Sequence, residues 1–231
     1  MAFTLRNWCR ASASANEPIV TLASGNIAGC FREYNYYTAD AQVTVAASSY
    51  FDDVAYDLVT GDYINVYSTN DGTRLQYRVT NTSGVITVTF VGGEINTQVS
   101  ITNAQLLGAY AASVELLAAP GANRMYVLNY AQFMFDFDTG VTANGGSTHV
   151  QYSNTVNGAG TLASSAIAAA TINAIAADSA FLLIPAAVTA TANASLVNQG
   201  LYFANDTAAY TQAAGASTLI CNIGARIVPT A

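Results

Sequence analysis

The sequence is poor in charged residues and contains no lysine. Only 9% of its 231 residues are charged, and all seven basic residues are arginines. An ordinary soluble domain carries about 25% charged residues. A surface with so little charge favours association, because apolar area left in water is removed when subunits meet. The sequence therefore predicts a chain whose outside is largely buried against other subunits.

Basic clusters and long apolar runs are also missing, which excludes several partners. The net charge is −7, and no run of arginines is present to neutralise phosphates. We therefore expect neither a nucleic acid nor an anionic membrane as a partner. The first eighteen residues lack the apolar run of a signal peptide. The longest apolar stretches are interrupted by polar residues and are shorter than a bilayer requires.

Histidine and cysteine are too scarce for most catalytic or metal sites. His149 is the only histidine, and we expect it to be an ordinary surface or strand residue. Cys9, Cys30 and Cys221 show no Cys-x-x-Cys spacing, so we expect reduced, unpaired thiols. The sequence thus predicts a protein that is not an enzyme and that has neither a cofactor nor a metal site.

Residues 1–42 show no lasting period of 2 or 3.6 and predict an extended N-terminal arm. The stretch FREYNYYTADAQ within it clusters three tyrosines, Tyr34, Tyr36 and Tyr37, after Arg32. Tyrosine and arginine are favoured at protein interfaces. These four residues are therefore candidates for contact with a neighbouring subunit, although packing in a local core explains the cluster equally well.

Residues 43–104 predict a small α+β or β-barrel-like module. VTVAA at 43–47 is a short strand pattern. Ser49 and Asp52 then have the spacing of a capping box, and apolar residues recur at helical spacing until Gly61. The expected core positions of this helix are Phe51, Val54, Ala55 and Leu58.

A hairpin follows the predicted helix. Asp71-Gly72 lies between the alternating runs YINVYS and TRLQYRVT, which is a strong signal for a tight turn between two strands. GVITVTFVGG predicts a third strand. One helix against a few strands forms a compact module.

Residues 105–231 predict an antiparallel β-sandwich of the jelly-roll kind. Six strand patterns occur between turn-rich segments: SVELL, RMYVLNYAQFMFDFD, THVQYS, SAFLLIP, LYFAND and STLICNIGARIVPT. The Ala-rich stretch TLASSAIAAATINAIAADS favours a helix by propensity, but it lacks charged helix partners.

The end of the longest strand pattern reads MFDFDTGVT. Asp136 and Asp138 are two residues apart and share one face of a strand, whereas Phe133, Phe135 and Phe137 point the other way. This alternation predicts a core strand whose acids face water or a neighbouring subunit. As a metal site the pair is incomplete, since a hard cation takes six or more oxygens.

The same stretch also spells the Asp-Thr-Gly loop of aspartic proteases. That chemistry needs two carboxylates about 3 Å apart that share a proton. A single loop would require a homodimer, with Asp138 contributed by each copy. No glycine-rich flap lies well downstream, and the chain is much longer than a retroviral-type protease. A homodimeric aspartic hydrolase is therefore the remote alternative.

Much of the chain resembles structural proteins of tailed bacteriophages. The resemblance lies in SVELLAAPGANRMYVLNYAQFMFDFDTGVT, VQYSNTVNGAGTLASSAI and NQGLYFANDTAAYTQAAGASTLICNIGARIVPT, and in YFDDVAYDLVTGDYINVYSTNDGTRLQYRVT before them. Together these segments cover roughly residues 45–230. Proteins of this kind are capsid decoration or cement proteins, often jelly-roll trimers on the outside of the head.

The resemblance implies a non-enzymatic virion protein, assembled in the host cytoplasm. It would decorate and stabilise the capsid exterior by bridging major capsid protein subunits as a homotrimer. Arg32, Tyr34, Tyr36, Tyr37, Asp136 and Asp138 are the interface candidates. The alternative within the same virion is a head-fibre or tail receptor-binding protein.

Overall fold

The chain is mainly β, with 50% of its residues in strands and 10% in helices, which confirms the predicted fold class. The computed structural model describes residues 8–10, 20–21, 27–28, 32–40, 42–69, 72–138, 142–186, 193–212 and 217–230. The chain divides into two compact units, Met1–Gly93 and Glu94–Ala231. The sequence predicts a boundary after residue 104, about ten residues later than the division between these units.

The first unit contains a mixed sheet in the order β1-β4-β5-β6-β7, and a separate pair of short strands, β2 and β3. The strands are β1 (Trp8–Arg10), β2 (Val20–Thr21), β3 (Ile27–Ala28), β4 (Glu33–Thr38), β5 (Tyr63–Ser68), β6 (Thr73–Thr82) and β7 (Val85–Ile101), the last of which contributes residues to both units. β4 and β5 are parallel, whereas β5 and β6 are antiparallel.

The hairpin predicted around Asp71-Gly72 is confirmed. β5 and β6 pair in register from Tyr63 with Arg78 to Tyr67 with Arg74. Gly72 has a φ of 68°, in the left-handed region that glycine enters without steric cost. The third predicted strand is also present as the first part of β7.

Part of the predicted arm is a strand. Residues 33–38 form β4, which pairs in register with β5 along its whole length. Its side chains alternate, so that Tyr34 and Tyr36 are buried while Tyr37 is exposed. This strand is not predicted from the sequence, because a six-residue alternation among tyrosines lacks the apolar contrast on which a period of 2 depends.

The helix predicted after Ser49 is wrong. Ser49 has a φ of 69°, and the segment is a series of turns with a single 3-10 turn at Asp52–Val54. Tertiary contacts replace the capping box: Ser49 donates its N–H to the Ile86 carbonyl, and Asp52 accepts the Ile86 N–H at 2.7 Å. Of the four expected core positions, Phe51, Val54 and Leu58 are nevertheless buried, and Ala55 is half-buried.

The strand predicted at 43–47 is also wrong, since Gln42–Val45 forms a helical turn, α1. A six-residue helix, α2 (Asn103–Gly108), was missed. Thr102 and Gln105 make a capping box at its start, and this Thr-x-x-Gln spacing was the available signal.

The second unit contains the six strands expected from the sequence. They are β8 (Val114–Leu117), β9 (Arg124–Asp136), β11 (Thr148–Tyr152), β12 (Ser179–Leu183), β13 (Leu201–Asn205) and β15 (Thr218–Pro229), with two short strands, β10 (Thr142–Ala143) and β14 (Thr211–Gln212), that pair with each other. One sheet has the order β7-β15-β9-β12, and the other has the order β11-β13-β8. The Ala-rich stretch forms only a short helix, α3 (Ala169–Asn173).

The strand β9 changes phase at a bulge. Leu128 pairs with Ala225 and Tyr130 pairs with Gly224, so Asn129 has no partner across the ladder. Tyr126 and Leu128 are buried before the bulge, and Ala131, Phe133 and Phe135 are buried after it. A bulge adds one residue to one strand and thereby restores the inward direction of the apolar side chains.

The two sheets of the second unit pack through aromatic side chains. Phe133 of β9 and Phe203 of β13 are fully buried, with ring centroids 5.4 Å apart at 64°. The Tyr152 hydroxyl of β11 donates to the Tyr126 carbonyl of β9 at 2.8 Å. These contacts between strands of different sheets define a β-sandwich core.

Candidate interaction surfaces

Arg32 and Tyr34 belong to the packing of the first unit. The Arg32 guanidinium lies 3.1 Å from the carboxylate of Asp62, which is fully buried. Asp62 also accepts the backbone N–H groups of Arg32 and Val59 at 2.9 and 3.0 Å. The buried Tyr34 donates its hydroxyl to the Asp57 carbonyl. A neighbouring subunit therefore cannot reach Tyr34, and the Arg32 charge already has a partner.

Tyr36 is also a core residue. It is 1% exposed, and its ring meets that of Phe51 edge to face at 5.4 Å. Its hydroxyl lies 3.0 Å from that of Tyr50, which donates to the Asp40 carboxylate at 2.6 Å. Burial and the Asp40 carboxylate raise the pKa of Tyr50 above its ordinary value. The local-core interpretation of the tyrosine cluster is therefore the one that fits Tyr34 and Tyr36.

Tyr37 points to the opposite face of the sheet, where it is 46% exposed. Three registered rows cross β4, β5 and β6 on this face. We call these nine residues the tyrosine–amide face: Glu33, Tyr63 and Arg78 in the first row, Asn35, Asn65 and Gln76 in the second, and Tyr37, Tyr67 and Arg74 in the third.

The middle row of the tyrosine–amide face is a hydrogen-bonded amide ladder. Asn65 donates to Asn35 Oδ1 at 3.1 Å and accepts from Gln76 Nε2 at 3.2 Å. Its second N–H donates to the Glu33 carboxylate at 2.6 Å. With only 4% of its surface exposed, Asn65 fixes the amide groups on both neighbouring strands.

The third row is a stack. The rings of Tyr37 and Tyr67 are 4.7 Å apart and nearly parallel, at 14°. The Arg74 guanidinium lies 5.2 Å from the Tyr67 ring centroid, at cation–π distance. Tyr67 is therefore held between its two row neighbours, and Tyr37 forms the exposed end of the stack.

The second unit carries another amide ladder on the outward face of its larger sheet. Gln98 donates to Asn222 at 2.9 Å, and Asn222 donates to Gln132 at 3.1 Å. Gln132 pairs in register with Leu182 on β12. The neighbouring row consists of Ile220, Met134 and Ala180. We call these seven residues, together with Ile184, the amide–apolar face; none of the eight is charged.

The β12 side of the amide–apolar face is strongly apolar and open to solvent. Leu182 is 70% exposed and Ile184 is 64% exposed. On the opposite face of β12, that strand and α3 enclose a shallow groove of about 660 Å³ whose lining includes Thr171, Ile175 and Phe181. Large aliphatic side chains at this exposure are suited to contact with another protein.

Asp136 and Asp138 lie where the alternation predicted. Both are exposed, Phe133 and Phe135 are buried, and Phe137 is half-buried. Asp136 pairs with Thr218 at the end of β9, on the same side of the sheet as the amide–apolar face. Within the described ranges, no group of three or more His, Cys, Asp or Glu side chains is placed to hold a metal ion.

His149 was predicted to be a surface or strand residue; it is a strand residue, and it is buried and not at the surface. It lies in β11 and is 2% exposed, and neither ring nitrogen has a hydrogen-bond partner among the residues that the structure describes. Burial lowers the pKa of His149, while Gln151 and the charge of Asp206 oppose that shift in part. THVQY does not alternate strictly between polar and apolar residues. The sequence therefore did not show whether this strand is buried on both faces or exposed on one.

Cys221 lies in β15 and is fully buried with a free thiol. Burial raises its pKa to about 12. Cys9 lies in β1, and Cys30 lies outside the described residues. In the part of the chain that the structure describes, no helix has the length and apolarity needed to cross a membrane.

The two faces were not predicted from the sequence, although the signal of the tyrosine–amide face is present in it. EYNYY, YINVY and RLQYR each alternate a polar or tyrosine residue with a core residue. Only the pairing of the three segments brings their outward residues into rows.

No family model matches the chain, and no curated protein is significantly similar to it.

Proposed function

We propose that the chain is a non-enzymatic structural protein of a tailed-bacteriophage virion. In this role it decorates the capsid exterior and stabilises it by bridging major capsid protein subunits, as a homotrimer. The observation that carries the proposal is the amide–apolar face, an uncharged sheet surface that ends in exposed Leu182 and Ile184. The proposal that the particle is a tailed-bacteriophage virion rests on the resemblance of the sequence to phage structural proteins.

The charge distribution supports contact through this face. Each copy has a net charge of −7, so copies repel one another wherever carboxylates face each other. The amide–apolar face lacks charged side chains and avoids that repulsion. Its amides remain able to hydrogen-bond across an interface, and its aliphatic side chains gain from leaving water. Burying Leu182 and Ile184 contributes about 1–2 kcal/mol each.

Stabilisation of a shell then follows from mass action. A protein that binds the assembled capsid, and not its free subunits, shifts the equilibrium toward the assembled state. Many contacts of modest strength across subunit boundaries are sufficient, and no catalytic group is needed. The exposed position of Asp136 beside the amide–apolar face makes it a candidate for pairing with a cation of the neighbouring subunit.

A charge placed in the amide–apolar face tests the proposal. Leu182→Asp should convert trimers to monomers in light-scattering measurements and should lower occupancy on the particle at least tenfold. Val156→Asp is the matched control, because Val156 is an exposed aliphatic residue of the same unit that lies outside this face. Equal behaviour of the two variants would contradict the proposed interface.

A further inference from the structure

The tyrosine–amide face has a composition unlike that of the amide–apolar face. Its nine residues comprise three tyrosines, three amides, two arginines and one glutamate, with no aliphatic side chain. The residues that alternate with them inside the sheet are buried; they are Tyr34, Tyr36, Ile64, Val66, Leu75 and Tyr77. The polar side chains are thus mounted on a packed core, which limits their freedom to rearrange.

The face is preorganised by its own contacts. Asn65 uses both N–H groups and its carbonyl oxygen within the face, and Tyr67 is held between Tyr37 and Arg74. Preorganisation lowers the entropy lost when a ligand binds. A surface of fixed donors, acceptors and aromatic rings suits a polyhydroxylated ligand, whose hydroxyls hydrogen-bond and whose C–H faces lie against aromatic rings.

The dimensions of the face favour a small ligand. Three strands about 4.8 Å apart and five residues along each strand give an area of roughly 10 by 13 Å. A stable protein interface buries about 800 Å² per partner, several times this area. Two or three sugar rings cover it.

The charges of the face point to an acidic ligand. Arg74 and Arg78 are two of only seven cations in a chain with a net charge of −7, and both are exposed. The Glu33 carboxylate on the same face accepts a hydrogen bond from Asn65. A planar guanidinium recognises a carboxylate or an ester-linked acid through paired hydrogen bonds.

We propose that the tyrosine–amide face is a binding site for an acidic saccharide. The exposed Tyr37 ring stacks against a sugar ring, Arg74 pairs with its acid group, and the half-buried Gln76 at the end of the amide row binds one of its hydroxyls. This site goes beyond the structural role proposed above and does not depend on it.

The geometry favours a saccharide over a single-stranded nucleic acid. Protein surfaces that bind single-stranded nucleic acid offer several exposed aromatic rings for base stacking, together with a basic groove. Here Tyr67 is already stacked by Tyr37, and Arg74 lies over its ring, so in this row only Tyr37 offers a ring face to a base. Two arginines on an acidic chain also supply little attraction for a phosphate backbone.

The test is binding of the full-length chain to an array of carboxylated, sulfated, phosphorylated and neutral glycans that also carries a single-stranded oligonucleotide. The wild type should retain acidic glycans at least tenfold more strongly than neutral ones. Tyr37→Ala and Arg74→Gln should each reduce that retention at least tenfold. Tyr56→Ala and Arg226→Gln are matched controls, with Tyr56 77% exposed and Arg226 also exposed, and should bind like the wild type.

Thermal midpoints of all four variants should stay close to that of the wild type, because each changed side chain is at least partly exposed. If Tyr37→Ala loses structure, Arg74→Gln alone decides the outcome. Retention of no acidic glycan above the neutral ones would overturn the proposal. So would equal binding by the face variants and the controls, or a preference for the oligonucleotide. None of these results bears on particle binding through the amide–apolar face.

Discussion

Replacing the two buried phenylalanines of the sandwich core tests whether its sheets face each other as described. Phe133 and Phe203 are both 0% exposed, and their rings make an edge contact at 5.4 Å. Each single change to leucine should lower the free energy of unfolding by about 1–3 kcal/mol. Because such aromatic pairs contribute about 0.5–1.5 kcal/mol beyond area burial, the double variant should lose less than the sum of the single losses.

The assay is guanidinium denaturation of the wild type, the two single variants and the double variant, evaluated on the transition of the second unit. Phe90→Leu provides the control, since Phe90 contacts Tyr77 in the first unit. Combined with Phe133→Leu, it should be additive to within about 0.5 kcal/mol. A coupling of zero between Phe133 and Phe203 would refute the packing of β9 on β13.

Three further outcomes are expected. Asp62→Ala should cost about 2–4 kcal/mol of unfolding free energy, because the Arg32 guanidinium loses its carboxylate partner and two backbone N–H groups lose their acceptor; a loss below about 1 kcal/mol would contradict this. Cys221 should react with a thiol reagent only as fast as the second unit unfolds, as measured in a variant whose other two cysteines are serine; rapid native-state labelling would be incompatible with its burial. The folded state should lose stability as the pH falls below about 6.5, since a buried His149 has a lowered pKa and the unfolded chain then binds more protons. His149→Gln should flatten that dependence in pH-resolved denaturation, and an unchanged profile would count against it.

The sequence was sufficient for the strands of the second unit. Their patterns are long, rich in β-branched and aromatic residues, and separated by turn residues such as Gly121 and Asn123, both of which have positive φ. The direction of Phe133, Phe135 and Asp136 also followed from a period of 2. The bulge at Asn129 did not, because an inserted residue leaves no local mark in a strand already rich in apolar side chains.

Tertiary contacts, and not local sequence patterns, determine the structure of the segments that were predicted wrongly or missed. Apolar spacing after Ser49 matched a helix, but hydrogen bonds with Ile86 hold the segment as turns. Local propensity is a weak prior where such long-range contacts are available. Tyr34 and Tyr36 illustrate the same limit, since tyrosines serve equally well in a core and at an interface. Only the pairing of β4 with β5 shows that Tyr34 and Tyr36 are buried and that Tyr37 is exposed.

Counting the copies of the chain in purified phage particles tests the central claim most directly. A decoration protein that bridges major capsid protein subunits repeats with the symmetry of the shell. The proposed function predicts hundreds of copies per particle, measured by quantitative mass spectrometry against the major capsid protein. A dozen copies or fewer would indicate a tail or fibre component, and complete absence from the particle would contradict a virion role altogether.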